Sequence, residues 1–330
     1  MNFFKVPPFK DAHVHFVVDG KPISDEGIIS IGKEFQKMGI FEVRDMGFST
    51  AEGFRAKRLI GDKIKIKTCG YALYKKGTYG VFLGKGIDNV KEARDLVSQI
   101  IKEGADFIKV VNSGIVSLKS KNYISPGGFT FEELKIICQE AKNKGLEIVC
   151  HVNGDKAIRD AIKAGVVSIE HGYFASMETL QEMKEKLVSW TPTVFSLRQY
   201  SILLKDDEKN ILQRIIDNHL KSINYASTIG VKINIGTDSG SRHVKHGESF
   251  FDELRLLKQS GIDLQKILSY ACMDEEDYTG KYLLLKEDFI DTREVQITSV
   301  TPKSAIEVKS LIKSASKIGR AGEGFLYDTL

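Results

Sequence analysis

Six residues stand where their side chains could act on one small molecule: His13, His15, Lys109, His151, His171 and Asp238. His13 and His15 lie two apart in Asp11–Ala12–His13–Val14–His15, a spacing that sends both imidazoles to one face of a strand. Lys109 is the lone charge in the apolar run Phe107–Ile108–Lys109–Val110–Val111, where an amine is costly unless paired or chemically altered. His151 closes another apolar run, His171 follows Ser168–Ile169–Glu170, and Asp238 follows Gly236–Thr237. Singly, each has an ordinary explanation. A strand-end histidine is usually a hydrogen-bonded surface or core residue, and an Asp after Gly-Thr suits a turn or a helix cap. Together they use four of the chain's seven histidines, all at the ends of apolar runs that read as strands. Imidazole and carboxylate suit zinc and its neighbours, and three or four ligands leave a position open for water. A second metal needs a bridging anion that an amine cannot supply. A carbamate on Lys109, formed with carbon dioxide, would supply two oxygens, and burial lowers the lysine pKa in favour of that reaction.

The elements that must position these residues follow from the hydrophobic periodicity. Strands are expected at Phe9–Phe16, Ile40–Asp45, Ile64–Gly70, Asp106–Val111, Leu146–His151, Val166–His171, Leu187–Thr191 and Val231–Thr237. Helices are expected at Asp25–Lys37, Thr50–Leu59, Val90–Glu103, Phe131–Lys144, Asp155–Ala164, Met177–Lys186 and Asp207–Thr228, with two more near Phe250–Lys258 and Leu264–Cys272. Gly104, Gly145, Gly165 and Gly230 each stand just past a helical pattern, where a left-handed cap is needed. Thr130 before Phe131–Glu132–Glu133 reads as an N-cap with acids in the first turn. Eight β-then-α units in succession imply a parallel sheet with helical crossovers. An open doubly wound sheet would carry a Gly-rich turn after its first strand, and Asp11–Ala12–His13 stands there instead. The expected fold is therefore a (β/α)8 TIM-type barrel, whose active site lies at the C-terminal strand ends. All six residues fall at that end. The expected division is a hydrolase barrel over 1–280 and a C-terminal extension over 281–330, where the alternation is lost.

Length and composition limit the alternatives. The 330 residues suit one barrel of about 250 plus extensions. With 42% hydrophobic and 28% charged residues the chain has the balance of a globular protein. A net charge of +4 spread along the chain does not mark a nucleic-acid binder. No apolar stretch approaches a membrane span, and the N-terminus shows no signal-peptide pattern. The expectation is a soluble, cytoplasmic protein acting on a small molecule, without nucleic-acid or membrane partners. Cys69, Cys138, Cys150 and Cys272 have no paired spacing and read as buried reduced thiols.

The motifs resemble the amidohydrolase superfamily, in particular its imidazolonepropionase-related and prolidase-like branch. The resemblance rests on Asp11–Ala12–His13–Val14–His15, Val43–Arg44–Asp45–Met46–Gly47, Gly104 to Lys109, His151–Val152–Asn153–Gly154, Ser168 to Gly172 and Gly236 to Gly240, in that order. It implies that His13, His15, Lys109 and Asp238 hold one metal, and that carboxylated Lys109, His151 and His171 hold a second. Imidazolonepropionases and the deaminases of the superfamily use one metal and no such lysine, so Lys109 points to the binuclear prolidase-like group. The activity implied is hydrolysis of an amide, a dipeptide or N-acyl amino acid, by a metal-bridging hydroxide, with Asp238 as the catalytic proton carrier. Zinc is the expected metal, with Mn2+, Co2+ or Fe2+ compatible. The alternatives are a mononuclear cyclic-amide hydrolase or deaminase, a lactone or ester hydrolase, and a degenerate barrel used for binding.

Three departures from the family pattern stand out. The N-terminal half of the usual small β-sandwich is not apparent, and the uncovered flank this would leave makes a homo-oligomer the expectation. Ile318 to Gly324 only faintly resembles the family's closing motif. The loop after the third strand reads Tyr74–Lys75–Lys76–Gly77–Thr78–Tyr79–Gly80 where many relatives carry Gly-Gly-His. Tyr173, beyond His171, and Arg242, His243 and His246, in the loop after Asp238, are the expected substrate contacts.

Overall fold

The computed structural model describes residues 3–274 and 280–299. In chain order the strands are β1 (Phe3–Val6), β2 (Phe9–Val14), β3 (Ile40–Asp45), β4 (Lys65–Thr68), β5 (Ala72–Lys75), β6 (Gly84–Ile87), β7 (Ile108–Val111), β8 (Ile148–Val152), β9 (Ser168–His171), β10 (Ser189–Thr191), β11 (Lys281–Lys286) and β12 (Val295–Ser299). The helices are α1 (Asp25–Lys37), α2 (Glu52–Ile60), α3 (Val90–Lys102), α4 (Phe131–Asn143), α5 (Asp155–Ala164), α6 (Met177–Glu185), α7 (Val194–Tyr200), α8 (Asp206–Ile229), α9 (Glu248–Gln259), α10 (Leu264–Ala271) and α11 (Phe289–Thr292).

Local chemistry explains where these elements start and stop. Thr130 caps α4 in a capping box with Glu133. Gly165 and Gly230 end α5 and α8 with φ of +105° and +87°, a conformation that costs any other residue. Each helix lays an apolar stripe on the sheet; α5, for example, buries Ile158, Ala161 and Ile162.

Two parallel sheets carry the site: β2-β3-β4, and β10-β9-β8-β7-β5-β6. Met46, Cys69, Phe107 and Val149 form a buried apolar cluster of their own, apart from the main core. Backbone bonds join the sheets at both gaps. Asp106 donates to the Thr68 carbonyl at 2.8 Å; on the far side Trp190 and Ala12 donate to Lys232 and Ile235 at 2.9 and 2.7 Å. This is an α/β, TIM-barrel-like fold.

The structure corrects three expectations. Val231–Thr237 is not a regular strand; it touches its neighbours through the isolated bridges Trp190↔Ile233 and, just beyond it, Val14↔Ser239. At the end of this run Asp11 Oδ1 takes the place of a ladder partner, accepting the backbone amides of both His13 (3.2 Å) and Thr237 (3.1 Å), and the ladder of β2 shifts register between Asp11 and Val14. The expected third strand stands as β4 beside β3, but the loop expected after it, Tyr74 to Gly80, begins inside a further strand, β5, which runs beside β7. Residues 281–299 carry regular structure too, since β1, β11 and β12 form an antiparallel sheet whose strands come from both sides of the expected division. Leu283 and Leu285 of that sheet are buried, and Phe289 just beyond them packs against Phe9 and Phe251, around the N-terminal end of β2 and away from the six residues. Ile318 to Gly324 lies outside the described residues. No helix among the described residues is long and apolar enough to cross a membrane.

Candidate metal centre

At the end of β2, His13 and His15 turn their Nε2 atoms toward Asp238 Oδ1, at 3.6 and 3.3 Å. Their other ring nitrogens are taken. His13 Nδ1 lies 2.6 Å from Glu170 Oε2, and His15 Nδ1 lies 2.6 Å from the Gly47 carbonyl. A carbonyl or carboxylate accepts only from N–H, so in the neutral rings that a metal requires both Nε2 atoms carry lone pairs, whereas a protonated His15 donates Nε2–H to Asp238. Two ligands each ~2.1 Å from a tetrahedral ion are about 3.4 Å apart, so the two measured spacings are the edges such an ion needs. Among the described residues these three side chains form one cluster that could hold a metal ion, and the donor set fits zinc or a neighbour.

Asp238 is fixed in turn. Its Oδ2 accepts from Ser196 Oγ at 2.7 Å, its Oδ1 accepts from Ser241 Oγ at 3.0 Å, and its backbone is left-handed with φ +58°. Burial works against its charge, but the bond from His15 and the fields of His13 and His15 prevail, holding the carboxyl well below the usual range. The same contest raises His15, where Asp238 outweighs burial. His13 instead falls to about 4, through burial and then the nearby Lys109.

His151 and His171 stand beside this cluster, with ring centroids 4.5 Å apart and His171 5.0 Å from His13. His151 Nε2 lies 3.2 Å from the Gly114 carbonyl, and His171 Nδ1 lies 2.6 Å from Thr193 Oγ1. Burial first, then neighbouring positive groups, lowers His151 to about 3 and His171 well below its usual range. Neutral imidazoles are what a metal requires. Strand alternation would turn His171 away from the face that Glu170 shares; a left-handed φ of +66° and a bond from Trp190 Nε1 to its carbonyl (2.9 Å) set it where it is.

Lys109 is 2% exposed, and its Nζ has no hydrogen-bond partner. Burial lowers its pKa. An orphaned buried amine is expensive, and its conversion to a carbamate would give the second histidine pair the oxygen donors it lacks.

These groups form the base of a cavity of about 450 Å3, within the range of small-molecule sites. Phe48, Tyr79, Phe82, Leu197 and Tyr200 wall it. Of the expected substrate contacts, Tyr173, Arg242 and His243 line it. Tyr173 is already engaged, stacked on His219 at 3.9 Å with its hydroxyl 3.4 Å from the Thr193 carbonyl. Arg242 and His243 are exposed at the mouth. His246 is not among the lining residues; its Nε2 lies 2.8 Å from the His15 carbonyl. Cys69 and Cys150 are fully buried, and burial raises both thiols.

Several residues that hold the site were missed in the sequence. Glu170 had a readable signal, since alternation with Ser168 turns it inward, where Ser168 Oγ also donates to it at 2.7 Å. Glu253 had a fainter one, a carboxylate three residues after Phe250 on the apolar stripe of α9. Both its oxygens accept backbone amides, from Val194 at 2.9 Å and Phe195 at 2.7 Å, and so fix the start of α7 between Thr193 and Ser196. Thr193, Ser196 and Ser241 had none; a hydroxyl after a strand is too common to single out.

With this fold and candidate metal cluster, the chain belongs to the Amidohydrolase family, whose model matches residues 4–282. It is similar to the Ochratoxinase of Aspergillus niger, 36% identical over 178 residues, or 49% of this chain and 37% of the relative. The chain thus matches little more than a third of that relative's length. It is 24% identical over 283 residues to an uncharacterized protein of Mycobacterium bovis, covering 84% of this chain and 74% of the other. Among solved structures, a Xaa-Pro dipeptidase with bound methionine superposes with a TM-score of 0.72 at 22% identity, over 90% of this chain and 86% of that one. The A. niger ochratoxinase structure gives 0.71 at 23% identity, over 88% and 78%. These superpositions agree on the TIM-barrel-like architecture.

Proposed function

We propose that the chain is a metal-dependent hydrolase of carbon–nitrogen bonds whose substrate is a dipeptide or an N-acyl amino acid. The observation that carries this reading is the convergence of His13 and His15 Nε2 on Asp238 Oδ1 at the edge lengths of a tetrahedral site. His13, His15 and Asp238 would hold one divalent ion, with Lys109, carboxylated, bridging to a second on His151 and His171. Such ions, zinc by default, supply a Lewis acid for the substrate carbonyl and make the attacking water more acidic. In this reading the parallel strands and residues 231–239 make one (β/α)8 ring, with the site at its C-terminal end.

The chain's own residues supply the rest. Asp238 is ionised at neutral pH, because its histidine neighbours hold its carboxyl low. It accepts the proton of the attacking water and delivers it to the leaving nitrogen, which departs only when protonated. Ser196 and Ser241 keep the carboxylate aimed during both transfers. Arg242, at the mouth, has no acidic partner among the described residues and suits the free carboxylate of an amino-acid substrate. The fold relatives named for ochratoxin and Xaa-Pro dipeptide substrates support an amide over a lactone.

One observation favours the mononuclear cyclic-amide hydrolase or deaminase as the second reading: only His13, His15 and Asp238 meet metal-ligand spacing without modification of Lys109, among the described residues. The test is turnover by the zinc- or manganese-loaded chain on N-acyl amino acids, dipeptides, cyclic ureas, lactones and phosphotriesters. Hydrolysis of the first two, abolished by a chelator, is expected. Turnover of cyclic ureas or lactones with none of amides would overturn the proposal.

A further inference from the structure

Most hydroxyl groups near the base of the cavity already serve a neighbour. Thr193 Oγ1 holds His171, Ser196 and Ser241 hold Asp238, and the Tyr173 hydroxyl meets the Thr193 carbonyl. Tyr200 stands at the mouth, 38% exposed. Tyr79 differs from all of these. It lines the cavity, its ring lies 5.3 Å from His151 at 32°, and its hydroxyl makes no hydrogen bond among the described residues. It is also close enough to Asp238 for the two to interact electrostatically.

The ring is well held. It packs on Ala72, Tyr74, Leu83 and Val111, and meets Phe82 edge-on at 5.4 Å. Phe82 in turn lies 6.2 Å from Phe48, and its carbonyl accepts from the Ser49 amide at 2.9 Å, tying this loop to the one after β3. A hydroxyl carried on so fixed a ring, open to the cavity and beside two ligand residues, is a preorganised donor without a partner. A donor aimed where charge develops accelerates acyl transfer, because it needs no reorganisation as the charge appears.

We propose that Tyr79 is a catalytic residue, whose hydroxyl donates a hydrogen bond to the carbonyl oxygen of the scissile amide and strengthens that bond as the oxygen becomes negative. This rests on the reading of the site as an amide hydrolase. The phenol, whose pKa burial raises above its ordinary value, keeps its proton throughout, and no bond to it forms or breaks. Tyr79 stands in the loop whose sequence departs from the family pattern, so the donor would be this chain's own provision.

The test is Tyr79→Phe, which keeps the ring and its packing and removes only the donor. In the zinc-loaded full chain, kcat should fall on the order of 10²-fold with KM little changed. Amides and activated esters of one acyl group should lose equally, since both develop the same oxyanion. Isothermal titration with N-methylphosphonyl-leucine, a tetrahedral mimic, should show affinity at least about ten-fold weaker. Zinc content and melting temperature should match the wild type. Unchanged kcat and mimic affinity would overturn the proposal, as would loss of zinc, which would make Tyr79 a structural support of His151. A wild type that turns over no amide refutes the hydrolase reading alone; the titration still decides Tyr79, and a wild type that fails to bind the mimic overturns it too.

Discussion

Glu253 offers a perturbation whose size follows from its surroundings. Its side chain is fully buried on α9, and among the described residues it accepts from the amides of Val194 and Phe195 alone. Burial raises its carboxyl from 4.5 to about 8, against the pull of those two bonds. An acid whose folded pKa lies above its unfolded value binds its proton more tightly when folded. Its stabilising contribution is therefore complete below the unfolded pKa and is lost as pH rises toward the folded one. Between about pH 5 and about pH 9 the loss comes to roughly 4 kcal/mol. Glu253→Gln removes that slope. It also leaves one amide facing an NH2 group, a pH-independent cost of about 1–3 kcal/mol. Urea unfolding of both chains, metal-free, at the two pH values measures the difference. Asp11 and Asp45, also raised by burial, to about 7 and about 6, are common to both chains and cancel. The variant should be the weaker protein at low pH and should gain about 4 kcal/mol on the wild type by high pH. Parallel stability curves would refute the reasoning. Because Glu253 fixes the turn that carries Thr193 and Ser196, the variant should also turn over more slowly.

Three further outcomes follow from the site. Asp238→Asn cannot relay a proton, so amide hydrolysis should fall by ~10²–10⁴-fold in kcat while activated esters lose far less; equal small losses would make Asp238 a ligand only. Glu170→Gln weakens the acceptor that orients His13 and should lower zinc affinity by about 10–100-fold in a chelator competition, whereas unchanged affinity would deny it that role. Arg242→Ala should raise KM for N-acyl amino acids and leave kcat and the KM of their C-terminal amides unchanged; a kcat effect would move Arg242 into the chemistry.

How far the site can be read from sequence depends on how local its causes are. Paired histidines two apart, a lysine inside an apolar run and a capped helix at Thr130 are written in adjacent residues; the structure turns both imidazoles toward Asp238, buries the lysine and caps α4 at Thr130. The interruptions involve remote residues. The run 231–237 reads as a strand, but Asp11, more than two hundred residues away in the chain, takes the amide of Thr237. The strand β11 carries a plain Leu283/Leu285 alternation, yet its partner β1 lies at the other end of the chain, so pairing has no local sign. Helix α7 is too short for a period, burying only Val194, although it delivers Ser196 to Asp238. His171 was placed by its motif; the positive φ that turns it inward is invisible to alternation. His246 shows the opposite error, since a histidine near a site need not face it.

The most direct test of the central claim is the metal content of the purified chain, beside that of Lys109→Ala, after growth with ample zinc or manganese. The wild type should carry about two divalent ions and the variant one or fewer, with a small carboxylate restoring part of the difference. No bound metal in the wild type, or two ions retained by Lys109→Ala, would contradict it.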